Sequence, residues 1–470
     1  MNASGARDAG RSTGRLLAIV LASGLALRLV LLGATSGLPP RIADEQSYLA
    51  LATSLADGRG YASESGPTSL RPPLYPALVA SLWTLSGTRS LQLVRAVQVL
   101  LGLVMAVVVY RLGRDLFDER TGALAAALVW FYPPLVFSTY LLLTETLFTC
   151  LVVFVLAAYR HTLARDSGGA AFGTGTLIGL AALTRSVLWP FAPVLAVVTL
   201  LVAGGTPRRR LALGALLLAG WAVTLAPWAV RNTRLWGMPV VVDTMGGLNL
   251  RMGNYEFTPN DRIWDAVSKR GEESWVHGLP PSPPGGGTWN EAQKERWARD
   301  QAVAYMAAHP GETALRAAIK LGDFWALDRD FAAGIYRGLY EPPAWFAVPA
   351  TAAMLLAHPL VIVLAVVGAW ARPPSDWRFH LTAWLLVGFV CALHVIVFAH
   401  PRYRLPLTPI FCLYAGSALA GRAWRPAAWP ARLSPVPAVA LAALAGTWLV
   451  QFAWRDWPQA ARTLRMLVSG

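Results

Sequence analysis

Apolar runs long enough to cross a bilayer constrain this chain more than any other feature. A helix needs about 20 residues to span a hydrocarbon core of ~30 Å. Only helices and closed barrels satisfy their backbone polar groups there. Eleven runs approach that length: about 16–33, 91–110, 121–138, 145–159, 170–184, 186–203, 211–229, 346–370, 379–398, 405–420 and 433–453. Two are short and depend on Arg185 marking a turn. Charged residues are 14% of the 470, against roughly 25% in a soluble domain, and mean hydropathy is +0.45. The expectation is an all-α polytopic membrane protein of about 11 transmembrane helices. A disordered, collagen-like or ordinary soluble chain is excluded.

The net charge of +15 does not point to nucleic acid. Segment 231–345 is close to neutral, with 13 basic and 14 acidic residues, and holds all three lysines, Lys269, Lys294 and Lys320. The excess is arginine in and between the apolar runs, so the continuous basic patch that a duplex needs is missing. Cys150, Cys391 and Cys412 lie in apolar runs and read as small hydrophobes. With the N-terminus inside, segments 1–15, 111–120, 160–169, 204–210, 371–378 and 421–432 carry 16 arginines in 62 residues, against 4 in 57 for the outer loop 34–90. That bias sets the orientation. Arg455, Arg462 and Arg465 run against it. The first run is too long for a signal peptide and is interrupted by Arg28, which can snorkel to the outer face.

This topology divides the chain into an N-terminal transmembrane module 1–230 with an outer loop 34–90, an extracytoplasmic α-rich insert 231–345, and C-terminal transmembrane helices 346–470. In the outer loop a helix is expected over Leu49, Ala52 and Leu55, ended by Asp57-Gly58 and Gly60. The stretch 74–85 is too short to cross and is expected to lie along the interface. In the insert, Thr288–Ala308 reads as a helix ended by His309-Pro310-Gly311, and Glu312–Trp325 as another. Gly246-Gly247-Leu248-Asn249 and Gly253-Asn254 read as tight turns, positions where backbone can also approach a ligand.

Ionisable groups beside apolar runs fall on one side of this topology: Asp44, Glu45, Glu145, Arg71, Arg185, Arg231, Arg402 and Arg404. Charge at membrane depth is costly and usually functional. Arginines interleaved with a few carboxylates suit a phosphate-bearing ligand whose tail lies in lipid. Each residue also has a plainer reading. Asp44, in Asp44-Glu45-Gln46-Ser47-Tyr48, can cap a helix, and Glu145 can favour a helix N-terminus. Arg71 in Arg71-Pro72-Pro73-Leu74-Tyr75 can anchor the chain at the interface. Trp228, before Arg231-Asn232, fits an aromatic belt, whereas the arginines of Arg402-Tyr403-Arg404 oppose the positive-inside bias. His277, His309, His358, His380, His394 and His400 have no metal-ligand spacing. A carboxylate site for Mg²⁺ or Mn²⁺ stays open.

The ordered set resembles the integral-membrane glycosyltransferases of GT-C type in the protein mannosyltransferase superfamily, which includes the bacterial lipid A aminoarabinose transferase. An Asp-Glu pair with Tyr48 follows the first span. Arg71-Pro72-Pro73, Glu145, Pro227-Trp228-x-x-Arg231-Asn232 and Arg402-Tyr403-Arg404-Leu405-Pro406 come after it, so about 40–420 is covered. The resemblance implies a bacterial-type inner membrane, an active site on the extracytoplasmic face, and a polyprenyl-phosphate sugar donor. It implies Asp44, with Glu45 and Glu145, as catalytic acids. Tyr48, Arg71, Tyr75, Arg185, Arg231, Asn232, Arg402, Tyr403 and Arg404 become substrate contacts. The insert matches loosely, so a lipid, glycan or protein acceptor remains open. No general acid is required, because a phosphate leaves without protonation and one carboxylate suffices to take the acceptor proton with inversion; no cofactor is assigned beyond the open Mg²⁺ or Mn²⁺ site. The alternatives are a transporter or flippase of a lipid-linked sugar, which would carry charges along a path between faces, and a scaffold using 231–345 to bind a partner.

Overall fold

The computed structural model describes residues 3–422, 435–453, 457, 461 and 465, with side-chain environments from residue 14 onward. Arg455, Arg462 and most of the inner segment 421–432 lie outside the described residues. The chain is helical almost throughout. Its helices are α1 (Ala3–Ala34), α2 (Ala43–Ala56), α3 (Leu74–Ser86), α4 (Leu91–Leu116), α5 (Glu119–Phe131), α6 (Pro133–Ser138), α7 (Glu145–Arg165), α8 (Gly168–Ala182), α9 (Phe191–Val202), α10 (Pro207–Trp236), α11 (Gly246–Met252), α12 (Glu291–Ala308), α13 (Pro310–Phe324), α14 (Asp330–Tyr336), α15 (Ala344–Ala371), α16 (Trp377–Ile396), α17 (Thr408–Ala420) and α18 (Pro435–Gln451). A two-residue hairpin pairs Ala62 with Pro67 and Ser63 with Gly66.

All eleven apolar runs fall on helix as far as they are described. Among the described residues, six helices are long and apolar enough to cross a membrane: α1 from Gly14, α4, α7, α10, α15 and α16. The protein is an all-α polytopic membrane protein. The run 121–138 is broken into α5 and α6 by Pro133, which lacks the N–H a continuous helix would use. Helix α10 continues through residue 230 to Trp236 and ends on Gly237 in the left-handed conformation (φ 68°).

Packing explains several of these elements. Helices α8 and α10 approach closely because Gly175 faces the Leu217 carbonyl and Gly220 faces that of Phe172, each with no room for a side chain. Small residues at such seams let helices associate where lipid supplies no hydrophobic drive. Arg28 does not snorkel. It is 1% exposed, stacks 3.5 Å from the Trp130 ring centroid and donates to the Trp130 carbonyl at 2.6 Å. Inside the protein this cation has a carbonyl acceptor and a π face on the same residue, so α1 is fastened to α5. Trp228 is likewise more than a belt residue: its indole donates to Val242 O at 2.7 Å and stacks edge-on with Tyr61.

The outer loop forms α2, the hairpin and α3. Asp57 caps α2, and Gly58 and Gly60 take positive φ as the turn signals require. In the insert, Asn290 caps α12 in a reciprocal pair with Gln293, and α12 ends at Ala308 before His309-Pro310. The expected turn at 246–249 is instead α11. Gly247 sits against the Glu295 carbonyl of α12, so the missing side chain serves helix packing rather than a turn.

Candidate functional site

Asp44 and Tyr48 lie one turn apart on α2 and share a face, as residues i and i+4 do on a helix. Arg71 precedes α3, Glu145 opens α7, Arg185 sits between α8 and the short 3₁₀ turn Ser186–Leu188, and Arg402 lies in the 3₁₀ segment Pro401–Leu407. Five segments distant in sequence thus bring their charges to one cavity of about 400 Å³, lined by Asp44, Tyr48, Arg71, Glu145, Arg185, Arg402 and Tyr403 among others.

The charges alternate. Arg71 Nη2 donates to Asp44 Oδ1 at 2.6 Å, and Arg402 Nη2 to Asp44 Oδ2 at 3.1 Å. Arg185 Nη1 donates to Glu145 Oε1 at 3.0 Å, and Arg402 Nε lies 3.0 Å from the same oxygen, off the direction of its N–H. The result is a continuous chain, Arg71–Asp44–Arg402–Glu145–Arg185. Glu145 is 2% exposed, and its Oε2 has no hydrogen-bond partner among the described residues. Burial pushes the Asp44 carboxyl up, but the guanidinium groups of Arg71 and Arg402, with Arg185 behind them, outweigh it and hold the carboxyl below its ordinary value. Burial opposes charge on Arg402 too, and there Glu145 and Asp44 prevail and raise its pKa. Aromatic rings back the guanidinium groups: Tyr48 under Arg71 at 5.5 Å and Tyr403 under Arg185 at 5.4 Å.

Five residues expected in the site lie elsewhere. Glu45, the next residue on α2, turns about 100° away. Its Oε2 accepts from the N–H groups of Arg41 and Ile42, both at 3.1 Å, and its Oε1 from that of Leu142 at 2.9 Å. It holds the start of α2 and does not line the cavity. Tyr75 is fully buried and donates to Gln98 Oε1 at 2.9 Å. Arg231 donates to the Tyr61 and Thr68 carbonyls, and Asn232 accepts from Ser69 Oγ and donates to Val242 O. The two therefore brace loops behind the cavity. Arg404 is 2% exposed and donates to Asp328 Oδ1 at 2.9 Å, Phe324 O at 2.6 Å and His358 Nδ1 at 3.2 Å. In a 3₁₀ turn, residues two apart project about 120° from each other, so Arg402 and Arg404 serve different neighbours.

Asn249, read from the sequence only as part of a turn where backbone can approach a ligand, lines the cavity; so do Asp243 and Trp264, which sequence reasoning missed. No motif marks them. Burial raises the Asp243 carboxyl pKa against the pull of Ser186, the Met245 N–H and Arg71. As for a metal, both site acids are already tied to guanidinium groups. Among the described residues no three His, Cys, Asp or Glu side chains gather to hold an ion. A divalent cation between Asp44 and Glu145 would have to displace Arg402.

Residues 70–230 match the family model of dolichyl-phosphate-mannose-protein mannosyltransferase. No curated protein matches the chain. Among solved structures, an Archaeoglobus fulgidus oligosaccharyltransferase complex with zinc and sulfate aligns at 14% identity and TM-score 0.47, over 92% of this chain and 53% of that one. ArnT from Cupriavidus metallidurans bound to undecaprenyl phosphate aligns at 15% identity and TM-score 0.40, over 85% of this chain and 78% of that one. The chain thus spans about half the length of the oligosaccharyltransferase it matches. With 70–230 matched to that family model and the ordered motifs continuing on either side, the resemblance read from the sequence stands: the chain is similar to the GT-C type integral-membrane glycosyltransferases of the protein mannosyltransferase superfamily.

Proposed function

We propose that the chain transfers a sugar from a polyprenyl-phosphate-linked donor to a hydroxyl acceptor at the extracytoplasmic face of a bacterial-type inner membrane, with its N-terminus in the cytoplasm and 231–345 outside. The observation that carries this reading is the alternating chain Arg71–Asp44–Arg402–Glu145–Arg185 along one cavity. Three guanidinium groups there match a phosphodiester, and two carboxylates hold them in place until it arrives. A donor phosphate exchanges with Asp44 for Arg71 and Arg402, which frees a carboxylate oxygen. The acceptor oxygen attacks the anomeric carbon from the face opposite the phosphate. The bond from that carbon to the phosphate oxygen breaks, its electron pair stays on the phosphate, and the acceptor proton passes to Asp44. The configuration inverts. Arg71, Arg185 and Arg402 stabilise the charge that grows on the departing phosphate. Glu145 positions Arg185 and Arg402.

The experiment is mass spectrometry of envelope glycans and glycoproteins from a deletion strain complemented with wild-type or Asp44→Asn protein. Deletion should remove one hexose or pentose, which the wild type restores and Asp44→Asn does not. Loss of a general base lowers the rate by about 10²–10⁴-fold. Restoration by a folded, inserted Asp44→Asn protein at wild-type level would falsify the assignment.

A further inference from the structure

The cavity has a second polar wall that the alternating chain of charges does not use. Asp243 and Asn249 lie on it, Trp264 contributes an indole, and all three come from 231–345 rather than from the membrane helices. The protein fixes Asp243 in place from both sides. Val242 O accepts from Trp228 Nε1 at 2.7 Å and from Asn232 Nδ2 at 3.2 Å. Thr244 N donates to Ser69 O at 3.1 Å, and Thr244 Oγ1 to Glu291 Oε2 at 3.2 Å. Asp243 Oδ1 accepts from Met245 N at 3.1 Å, which sets the carboxylate plane. Trp264 packs against His400, ring centroids 4.5 Å apart and planes tilted by 52°, and lies 6.3 Å from Tyr403, so it sits beside the Arg402 segment.

We infer that Asp243, Asn249 and Trp264 form the subsite for the transferred sugar of the donor, an assignment that rests on the glycosyltransferase reading above. A carboxylate accepts from neighbouring hydroxyls, an amide both donates and accepts, and an indole covers the apolar C–H face of a ring. Arg71 decides between donor and acceptor sugar. It donates to Asp44, and Ser69, two residues before it, accepts from the N–H of Thr244, the residue after Asp243, so the Arg71 segment joins the two carboxylates across the one cavity that all three side chains line. A phosphate held by Arg71 then has its sugar against Asp243. The cavity of about 400 Å³ is within the ~300–1,000 Å³ of small-molecule pockets, room for a phosphosugar head with its lipid outside. In this arrangement the segments that connect the membrane helices read the phosphate and the insert reads the sugar.

The test uses the full chain in nanodiscs with two probes, undecaprenyl phosphate and a panel of undecaprenyl-phosphoryl hexoses and pentoses. The wild type should bind at least one glycosylated lipid more tightly than the bare one. Asp243→Asn and Asn249→Ala should each weaken that lipid about tenfold or more, the scale of one lost hydrogen bond to a charged or polar partner. Both should leave undecaprenyl phosphate within twofold. Asn249→Ala keeps the test decisive if Asp243→Asn fails to fold. Variants that weaken bare and glycosylated lipids equally, or weaken neither, overturn the sugar subsite and leave the phosphate wall standing. A wild type that binds no undecaprenyl lipid overturns the glycosyltransferase reading and the subsite with it.

Discussion

Arg402 and Arg404 offer the most direct test of the site. Their side chains are two residues apart and chemically identical, yet the structure gives them opposite work. Arg404 is buried with Asp328, whose carboxyl is pushed up to about 6 by burial despite the guanidinium beside it. Arg404→Ala strands that carboxylate and leaves Phe324 O and His358 Nδ1 without their donor. Removing one partner of a buried pair costs about 3–5 kcal/mol. Without Arg404 the folded-state carboxyl takes its proton at a still higher pH than in the wild type, so the loss should shrink as pH falls towards about 6. Arg402→Ala differs, because Asp44 keeps Arg71 and Glu145 keeps Arg185. Its effect should fall on ligand binding. A charge-assisted hydrogen bond is worth about 1.5–3 kcal/mol, or roughly 10- to 150-fold in affinity for undecaprenyl phosphate. Thermal melting of the purified protein, followed by its 20 tryptophans, and lipid binding in nanodiscs separate the two. An Arg404→Ala protein that melts with the wild type yet loses the lipid phosphate would refute this division.

Three further outcomes are expected. Lys320 is buried among Asn254 Oδ1, at 2.8 Å, and Ile396 O, at 3.0 Å, and burial with Arg316 nearby lowers its pKa to about 7. The unfolded chain then binds more protons between about 7 and 10.5, so stability should rise with pH across that window, and Lys320→Met should flatten the rise in a melting series. Glu45→Ala removes the acceptor of three backbone N–H groups; the expected loss is about 1–3 kcal/mol for each donor left unsatisfied, seen as a lower melting temperature with donor binding per folded molecule unchanged. Gly220→Leu should force α8 from α10 and abolish folded protein in size-exclusion profiles, while Gly237→Ala, at a helix end with open space, should cost only the strain of its left-handed backbone.

The membrane helices were legible because apolar length is a strong signal. Each of the eleven runs falls on helix as far as it is described, and the insert helices begin and end near their caps. Side-chain direction was less so. Asp44 and Glu45 differ by one helical step, and the sequence reading placed both in the site; the i, i+4 spacing of Asp44 with Tyr48 was the signal that could have separated them. Arg402 and Arg404 could not be told apart, because the sequence does not announce a 3₁₀ turn or the buried Asp328 that takes one of them. Asp243 had no motif at all. Its place depends on Trp228, Asn232, Ser69 and Glu291 bracing the residues on either side, contacts made across the fold.

Counting formal charge around the cavity shows what a donor has to displace. Arg71, Arg185 and Arg402 face Asp44 and Glu145 on one wall and Asp243 on the other, so three guanidinium groups already meet three acids. On the proposed reading a phosphate gains its arginines only by loosening Asp44 from Arg71 and Arg402, and the acceptor proton then neutralises the loosened carboxylate while the phosphate gains a charge. The neighbouring guanidinium groups hold Asp44 below its ordinary pKa, so it gives that proton up readily and, once charged, competes again for the same two arginines. The ion pairs that close the cavity would thus also help to expel the spent lipid.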